Sequence, residues 1–241
     1  MSFQGLFFGL HHTKYALMKL FKFIVLALLG IMGQNLSAQT EVKSPKEVFE
    51  MYFGTFVNND TAVLNKLNDY LRPTVEGETA YQVDFSTMSR DMMKESTDNF
   101  LSAFSKTTAD ACRKEAEDYF TAMMGNFKTG KLTIKEVKIV QNEHIEDQKI
   151  AEVMYSVSFK VPAKFSDIPT GDIKNVKPEE LKKYLVQSVQ DFKNANKTVE
   201  TEQKFSLYQL NEGGKVYYWS GSPDEIVSGL TDFYFESFGS K

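Results

Sequence analysis

The spacing of the apolar residues changes clearly near residue 130 of this chain. Before that point apolar side chains recur every three or four positions, most regularly over residues 85–103 and 109–127, which is the pattern of one helix face. After it they alternate with polar residues, which is the pattern of strands with one buried face. A run of helices followed by a run of strands predicts an α+β fold with an antiparallel sheet.

The helices before residue 130 have recognisable starts. Ser44 and Glu47 have the spacing of a capping box, in which each side chain accepts a hydrogen bond from the other's backbone N–H. Asp60 is placed to cap a second helix, and Asp84 to cap a third that begins near Ser86. Between these two helices a short strand is predicted at residues 79–83.

The first predicted strand contains a change of phase. Leu132 and Ile134 alternate in one phase, whereas Val137 and Ile139 alternate in the other. One extra residue at positions 135–136 would bring all four to the same face, which is what a β-bulge does.

Further strands are predicted at residues 151–161, 199–210 and 215–220, the last two joined by a tight turn. Residues 162–195 contain a loop and a helix that begins at Pro178, and they are interpreted as an insertion between strands. A final helix is predicted after Ser222.

Residues 18–38 have the organisation of a secretory signal peptide. Lys19 and Lys22 precede an apolar run at residues 23–32, and Ala38 is a small residue at the expected cleavage point. The run is shorter than the roughly 20 residues that span a membrane. We therefore expect cleavage and export by the Sec route to the periplasm or the medium. The cleavage point has no cysteine, so a lipoprotein is not expected.

This signal sets the expected domain boundaries. Residues 1–17 are expected to be an untranslated or extended leader, and residues 39–241 a single domain. Without residues 1–38 the chain loses three of its 28 basic residues and none of its 32 acidic ones, leaving 25 against 32 and a net charge of −7. This charge disfavours nucleic acid and anionic membrane surfaces as partners.

Few residues suggest metal, redox or covalent chemistry. Cys112 is the only cysteine, so an intramolecular disulfide is impossible, and its helical neighbours predict a buried apolar role. His144 is the only histidine after residue 38 and lies in a polar segment typical of a hairpin turn. After residue 38 the sequence has no pair of histidines at helical spacing, no cysteine cluster and no G-x-S-x-G motif. No metal ligand, cofactor or catalytic residue is predicted.

Aromatic residues on the predicted strands are the candidate ligand-binding residues. Rings that carry a hydroxyl or an indole N–H suit an amphipathic ligand, and the candidates are Tyr155, Tyr208, Tyr217 and Trp219. The alternative is that these rings pack beneath the helices.

A methionine-rich stripe at helical spacing also allows two interpretations, a ligand-binding lining or core packing. Its members fall at spacings of three and four: Phe85, Met88, Met92, Ser96, Phe100 and Ala103. Methionine is adaptable enough to line a ligand site, but it also fills gaps between packed helices. Core packing is the favoured interpretation.

Two stretches carry a resemblance to a known superfamily. Residues 44–53 followed by Asn59-Asp60 look like the opening helix and acidic turn of NTF2-like (cystatin-like α+β) domains, and residues 135–139 followed by 150–155 are similar to their central hairpin. The chain resembles in particular the small secreted bacterial domains of the DUF4878-like group, whose function is unknown. The resemblance implies a curved antiparallel sheet wrapped around a helix to form a cone. The helix at 178–193 and the C-terminal helix depart from the minimal pattern.

Three functions are compatible with this resemblance. The first is a non-enzymatic domain that binds a small apolar ligand or a protein partner. The second is an isomerase or dehydratase that uses a buried carboxylate such as Asp84 beside a tyrosine hydroxyl. The third is an assembly module that forms a homodimer through an exposed sheet face. The sequence favours the first.

Overall fold

A computed structural model describes residues 40–164 and 172–239, apart from the side chains at positions 40, 41, 238 and 239. The predicted signal peptide, the leader before it and part of the predicted insertion lie outside the described residues. The chain divides into two compact units. The described part of the larger one comprises residues 41–164, 172–212 and 216–239, and the described part of the other comprises Thr40 and residues 213–215.

The predicted α+β class is confirmed. Helices of the described part are α1 (Pro45–Phe56), α2 (Thr61–Leu71), α3 (Phe85–Leu101), α4 (Lys106–Phe127), α5 (Pro178–Lys193) and α6 (Asp224–Gly239). Its strands are β1 (Thr40–Glu41), β2 (Lys131–Gln141), β3 (Lys149–Val161), β4 (Lys197–Glu212) and β5 (Lys215–Trp219). The strand order is β1-β5-β4-β3-β2, and β2, β3 and β4 pair antiparallel.

The predicted capping interactions are present. Ser44 Oγ accepts a hydrogen bond from the Glu47 backbone N–H at 3.3 Å, and Glu47 Oε2 accepts one from the Ser44 N–H at 2.9 Å. Asp60 Oδ1 accepts from the Ala62 N–H at 2.8 Å. These bonds satisfy backbone donors that the first turn of a helix leaves without a partner, and local sequence alone is sufficient to specify them.

The predicted bulge in β2 is also confirmed. Ile134 pairs with Tyr155, but the next pair is Glu136 with Met154, so Lys135 is the extra residue. The shift returns Val137 to the face occupied by Ile134. One strand can therefore keep its apolar side chains on one face across a change of phase.

The main core lies between the helices and this face of the sheet. Phe49 of α1 packs its ring 4.6 Å from that of Tyr155 on β3 and 5.6 Å from that of Phe205 on β4. At the other end of the sheet, Phe159 stacks on Phe127 of α4 at 5.4 Å and meets Tyr234 of α6 at 5.2 Å. Aromatic rings thus join α1, α4 and α6 to the sheet.

The predicted short strand at residues 79–83 is wrong, because this segment pairs with no strand. The Tyr81 N–H donates to Asn68 Oδ1 at 2.9 Å, and Asn68 Nδ2 donates to the Tyr81 carbonyl oxygen at 2.9 Å. The side-chain amide of α2 therefore supplies both hydrogen bonds that a neighbouring strand would otherwise provide.

Helix α5 packs against α4 through a second apolar cluster. Leu181 and Leu185 of α5 are buried there with Cys112 of α4, which confirms the burial predicted for the cysteine. Thr108 Oγ1 donates to the Val176 carbonyl oxygen at 2.8 Å and joins the loop before α5 to the start of α4. The helix of the predicted insertion is therefore part of the packed structure.

Candidate functional site

An apolar cleft of about 430 Å³ opens in the larger unit where four helices approach one another. The C-terminal ends of α1 and α4, the first two turns of α3 and the start of α6 border it. Its described lining consists of Phe56, Val57, Asn59, Val83, Phe85, Met88, Ser89, Met92, Met93, Thr121, Met124, Gly125, Phe127, Lys128, Asp224 and Val227.

The methionines of α3 form the accessible side of this cleft. Asp84 caps α3, which begins at Phe85. Met88 and Met92 are four residues apart within this helix and therefore lie on one face of it. Their exposed fractions are 39% and 40%, whereas Phe85 and Phe127 beneath them are buried. The stripe therefore divides in two. Its first half lines an open cleft, and Phe100 in its second half packs against Phe104 with ring centroids 5.3 Å apart.

A lysine stands at the polar margin of the cleft. Lys128 is the C-cap residue of α4 and is half-buried. Its Nζ lies 3.3 Å from Ser89 Oγ. With the Asn59 amide oriented to satisfy both of its ends, Asn59 Oδ1 accepts from Lys128 Nζ at 2.9 Å and Asn59 Nδ2 donates to the Phe56 carbonyl oxygen at 3.2 Å. Burial lowers the pKa of Lys128 below its ordinary value.

Three prominent lining residues that the sequence pattern does not single out are Met93, Met124 and Lys128. The apolar positions at helical spacing in α4 include Met123 and Phe127, and Met124 lies one residue outside that face. The group of methionines at 88, 92 and 93 was a usable signal. No sequence signal marks Lys128, because lysine is common at the C-terminal end of helices.

Two of the four predicted aromatic residues are buried in the main core. Tyr155 lies under Phe49, and burial raises the pKa of its hydroxyl to about 12. The Tyr217 ring lies 5.5 Å from that of Tyr70 on α2. Neither lines the methionine cleft.

The other two are half-buried. Tyr208 pairs with Ile150, on the sheet face opposite Tyr155, so these two candidates do not share a site. Trp219, at the end of β5, packs against the edge of the main core. The structure thus does not bring the four predicted residues together.

A hydrogen-bonded tyrosine pair lies beside Trp219. Tyr81 Oη donates to the Ser220 carbonyl oxygen at 2.6 Å, and Tyr52 Oη lies 2.9 Å from Tyr81 Oη. The Ser220 N–H donates to Tyr52 Oη at 2.9 Å. Burial, followed by the neighbouring Tyr81, raises the pKa of Tyr52 well above its ordinary value. These neutral hydroxyls tie the end of β5 to α1.

Asp84 caps a helix, as the sequence predicts. Its carboxylate accepts hydrogen bonds from the backbone N–H of Ser86 at 3.0 Å and of Thr87 at 3.1 Å, and from both hydroxyls. Asp84 is exposed, and these bonds lower its pKa. A general base in a cone would need the opposite, a buried carboxylate with a raised pKa.

We expect Asp84 to make the stability of the domain sensitive to acid. Because its pKa is lower in the folded state, its contribution is complete above the unfolded pKa of about 3.9 and declines as pH falls through the folded value. Asp84→Asn retains a capping oxygen that does not titrate, so this variant should lose less stability than the wild type between neutral and acid pH. Urea unfolding across that range measures the difference.

Asp84→Ala is the matched control, because it removes the cap at every pH. It should already be less stable than the wild type at neutral pH. Parallel pH profiles for wild type and Asp84→Asn would contradict the prediction.

Neither a metal site nor a membrane-spanning helix is found among the described residues. His144 is exposed beyond β2, and residues 40–164 and 172–239 contain no group of three or more His, Cys, Asp or Glu side chains suited to a metal ion. No helix in the same ranges is long and apolar enough to cross a membrane.

Comparison with known proteins gave no match to a protein-family model and no significant match to a curated protein or a solved structure.

Proposed function

We propose that this protein is a non-enzymatic binding domain for a small apolar ligand, held in the methionine cleft between α1, α3, α4 and α6. The observation that carries the proposal is the cleft itself. Its volume of about 430 Å³ lies within the roughly 300–1,000 Å³ that is usual for small-molecule sites. Its lining is mostly apolar, with a few polar groups at the margin.

Two properties distinguish the cleft from an ordinary packing gap. Protein interiors are close-packed and contain few voids larger than a water molecule. A space of this volume is therefore much larger than the gaps that imperfect packing leaves. Met88 and Met92 also keep about two-fifths of their surface exposed, at 39% and 40%. Flexible, polarizable side chains in such a position can adapt to ligands of different shape.

The proposal replaces one expected site with another. The aromatic candidates on the strands remain a prediction, and Tyr208 is the member with accessible surface outside the helix-covered face. The methionine cleft is the stronger candidate because its residues converge on one concave space. Variants at the two places can separate these alternatives.

We expect Met92→Glu to weaken binding of an apolar probe such as dodecanol by at least about tenfold, because the probe would have to desolvate a carboxylate. Met92 is partly exposed, so the new side chain can reach water in the free protein and the fold should persist. Isothermal titration calorimetry gives the affinity, and circular dichroism verifies the fold.

Met154→Glu is the matched control. Met154 lies on the outward face of β3, paired with Lys204, and the same change there should leave dodecanol binding unaltered. Equal weakening by both variants, or loss of binding in Tyr208→Ala with Met92→Glu unaffected, would contradict the proposed site.

The fold and the compartment enter the same proposal. Helices covering one face of an antiparallel sheet, and a bulge in β2, support an NTF2-like cone with α5 and α6 as additions. The signal-like residues 18–38 support export by the Sec route. An exported carrier or receptor of small ligands would combine both features.

A further inference from the structure

Lys128 is the one basic side chain among the described residues that line the cleft. The remaining polar lining comprises Asn59, Ser89, Thr121 and Asp224. Among these lining residues, only the ammonium of Lys128 and the carboxylate of Asp224 would therefore interact electrostatically with a charge on the ligand.

The ammonium is held by neutral groups. Its neighbours are Ser89 Oγ at 3.3 Å and, in the oriented amide, Asn59 Oδ1 at 2.9 Å. An ammonium has three protons to donate, and these two contacts use two of them. Among the described residues, no carboxylate lies within ion-pairing distance of Lys128.

A half-buried cation without an anionic partner is poorly solvated. By contrast, most lysines that do form ion pairs among the described residues are largely exposed, as is Lys94, which reaches Asp98 at 2.7 Å. Burial removes part of the hydration of the Lys128 ammonium, and no described carboxylate compensates for that loss. This loss of hydration is what lowers the pKa of Lys128. An anion arriving at the cleft would restore the missing interaction.

Asp224 opposes this effect only weakly. It is exposed, at the first position of α6, where the helix dipole favours a negative charge. Water around it screens its repulsion of a bound anion. The lining is therefore apolar, with an available cation at the edge and a screened carboxylate at the start of α6.

We infer that the ligand is an anionic amphipath, an alkyl carboxylate whose chain fills the methionine cleft and whose head group is bound by Lys128. This inference rests on the proposed binding function and adds the chemical class of the ligand. A carboxylate accepts the free Nζ proton as a charge-assisted hydrogen bond. The hydrocarbon chain lies against Met88, Met92 and Phe127.

The test compares three probes that share one chain: dodecanoate, dodecanol and dodecyltrimethylammonium, each kept below its micelle concentration. Calorimetry on the whole signal-cleaved protein should show dodecanoate binding about tenfold more tightly than dodecanol, the usual size of a charge-assisted hydrogen bond. Dodecyltrimethylammonium should bind more weakly than either.

Substitutions at Lys128 then assign this preference. Lys128→Gln should remove the preference of dodecanoate over dodecanol, mainly by weakening dodecanoate binding, because a neutral amide cannot form a charge-assisted hydrogen bond with the carboxylate. Lys128→Arg keeps the charge and should keep most of the preference. Asp224→Asn should slightly increase the preference for dodecanoate over dodecanol.

The outcomes separate the two proposals. Equal binding of dodecanoate and dodecanol in the wild type, or an unchanged preference in a folded Lys128→Gln, would overturn the head-group inference and leave the apolar binding function standing. Binding of none of the three probes to the folded wild-type protein would overturn both.

Discussion

Phe49→Ala is expected to destabilise the domain by about 3–5 kcal/mol, the usual cost of removing a buried aromatic side chain. Phe49 is 0% exposed and packs between Tyr155 at 4.6 Å and Phe205 at 5.6 Å. It therefore connects α1 to two neighbouring strands at once. Its loss would leave a cavity bordered by rigid rings, which have little freedom to fill it.

Urea unfolding measures this cost directly as a lower transition midpoint. Total stabilities of single domains are about 5–15 kcal/mol, so the variant is expected to be partly unfolded at elevated temperature. Glu50→Ala is the matched control, because Glu50 is the next residue of α1 and is exposed. Its midpoint should stay near the wild-type value. A small shift for Phe49→Ala, similar to that of Glu50→Ala, would show that α1 does not anchor the sheet.

The features that the sequence predicts correctly are those that depend on neighbouring residues. The capping box of Ser44 and Glu47 spans four residues, and the bulge at Lys135 follows from the phase of β2 alone. In both cases the deciding interaction or pattern is local. The assignment of residues 79–83 failed because Asn68, on another helix, takes the place of a strand partner.

The cleft could not be predicted for a related reason. Its lining comes from α1, α3, α4 and α6, and the space exists only because these four helices leave room between them. The sequence contains the methionines, but a stripe at helical spacing has the same pattern whether it faces a core or a cavity. The aromatic candidates do not share one site because alternate residues of a strand point to opposite faces of the sheet. Tyr208 pairs with Ile150, whose side chain lies on the face opposite that of Tyr155.

The position of Lys128 follows from how α4 ends. Phe127 is the last helical residue and is buried. The chain then turns toward β2, and Asn58 Nδ2 donates to the Lys128 carbonyl oxygen at 2.7 Å. This contact fixes the backbone of Lys128 beside the loop after α1, which also contributes Asn59. The same turn that satisfies a helix end therefore places a cation at the margin of the cleft.

Leu185→Ala is expected to destabilise the domain by about 2–5 kcal/mol, because its side chain is enclosed by the second apolar cluster. Leu185 is 0% exposed and packs with Cys112, Ala116 and Leu181 between α4 and α5. A helix that served as a lid would be held by weak contacts and would open without unfolding the rest. The cluster instead makes α5 part of the cooperative structure, and Phe192, 5.9 Å from Tyr119, continues the packing toward the main core.

Val186→Ala provides the control, since Val186 is the next residue of α5 and 53% exposed. Thermal and urea unfolding should show a large loss for Leu185→Ala and almost none for Val186→Ala. Neither residue lines the methionine cleft, so both variants should bind dodecanol with wild-type affinity under conditions where they are folded. A Leu185→Ala protein with unchanged stability and faster release of dodecanol would identify α5 as a lid, because packing and gating predict opposite responses to the same truncation.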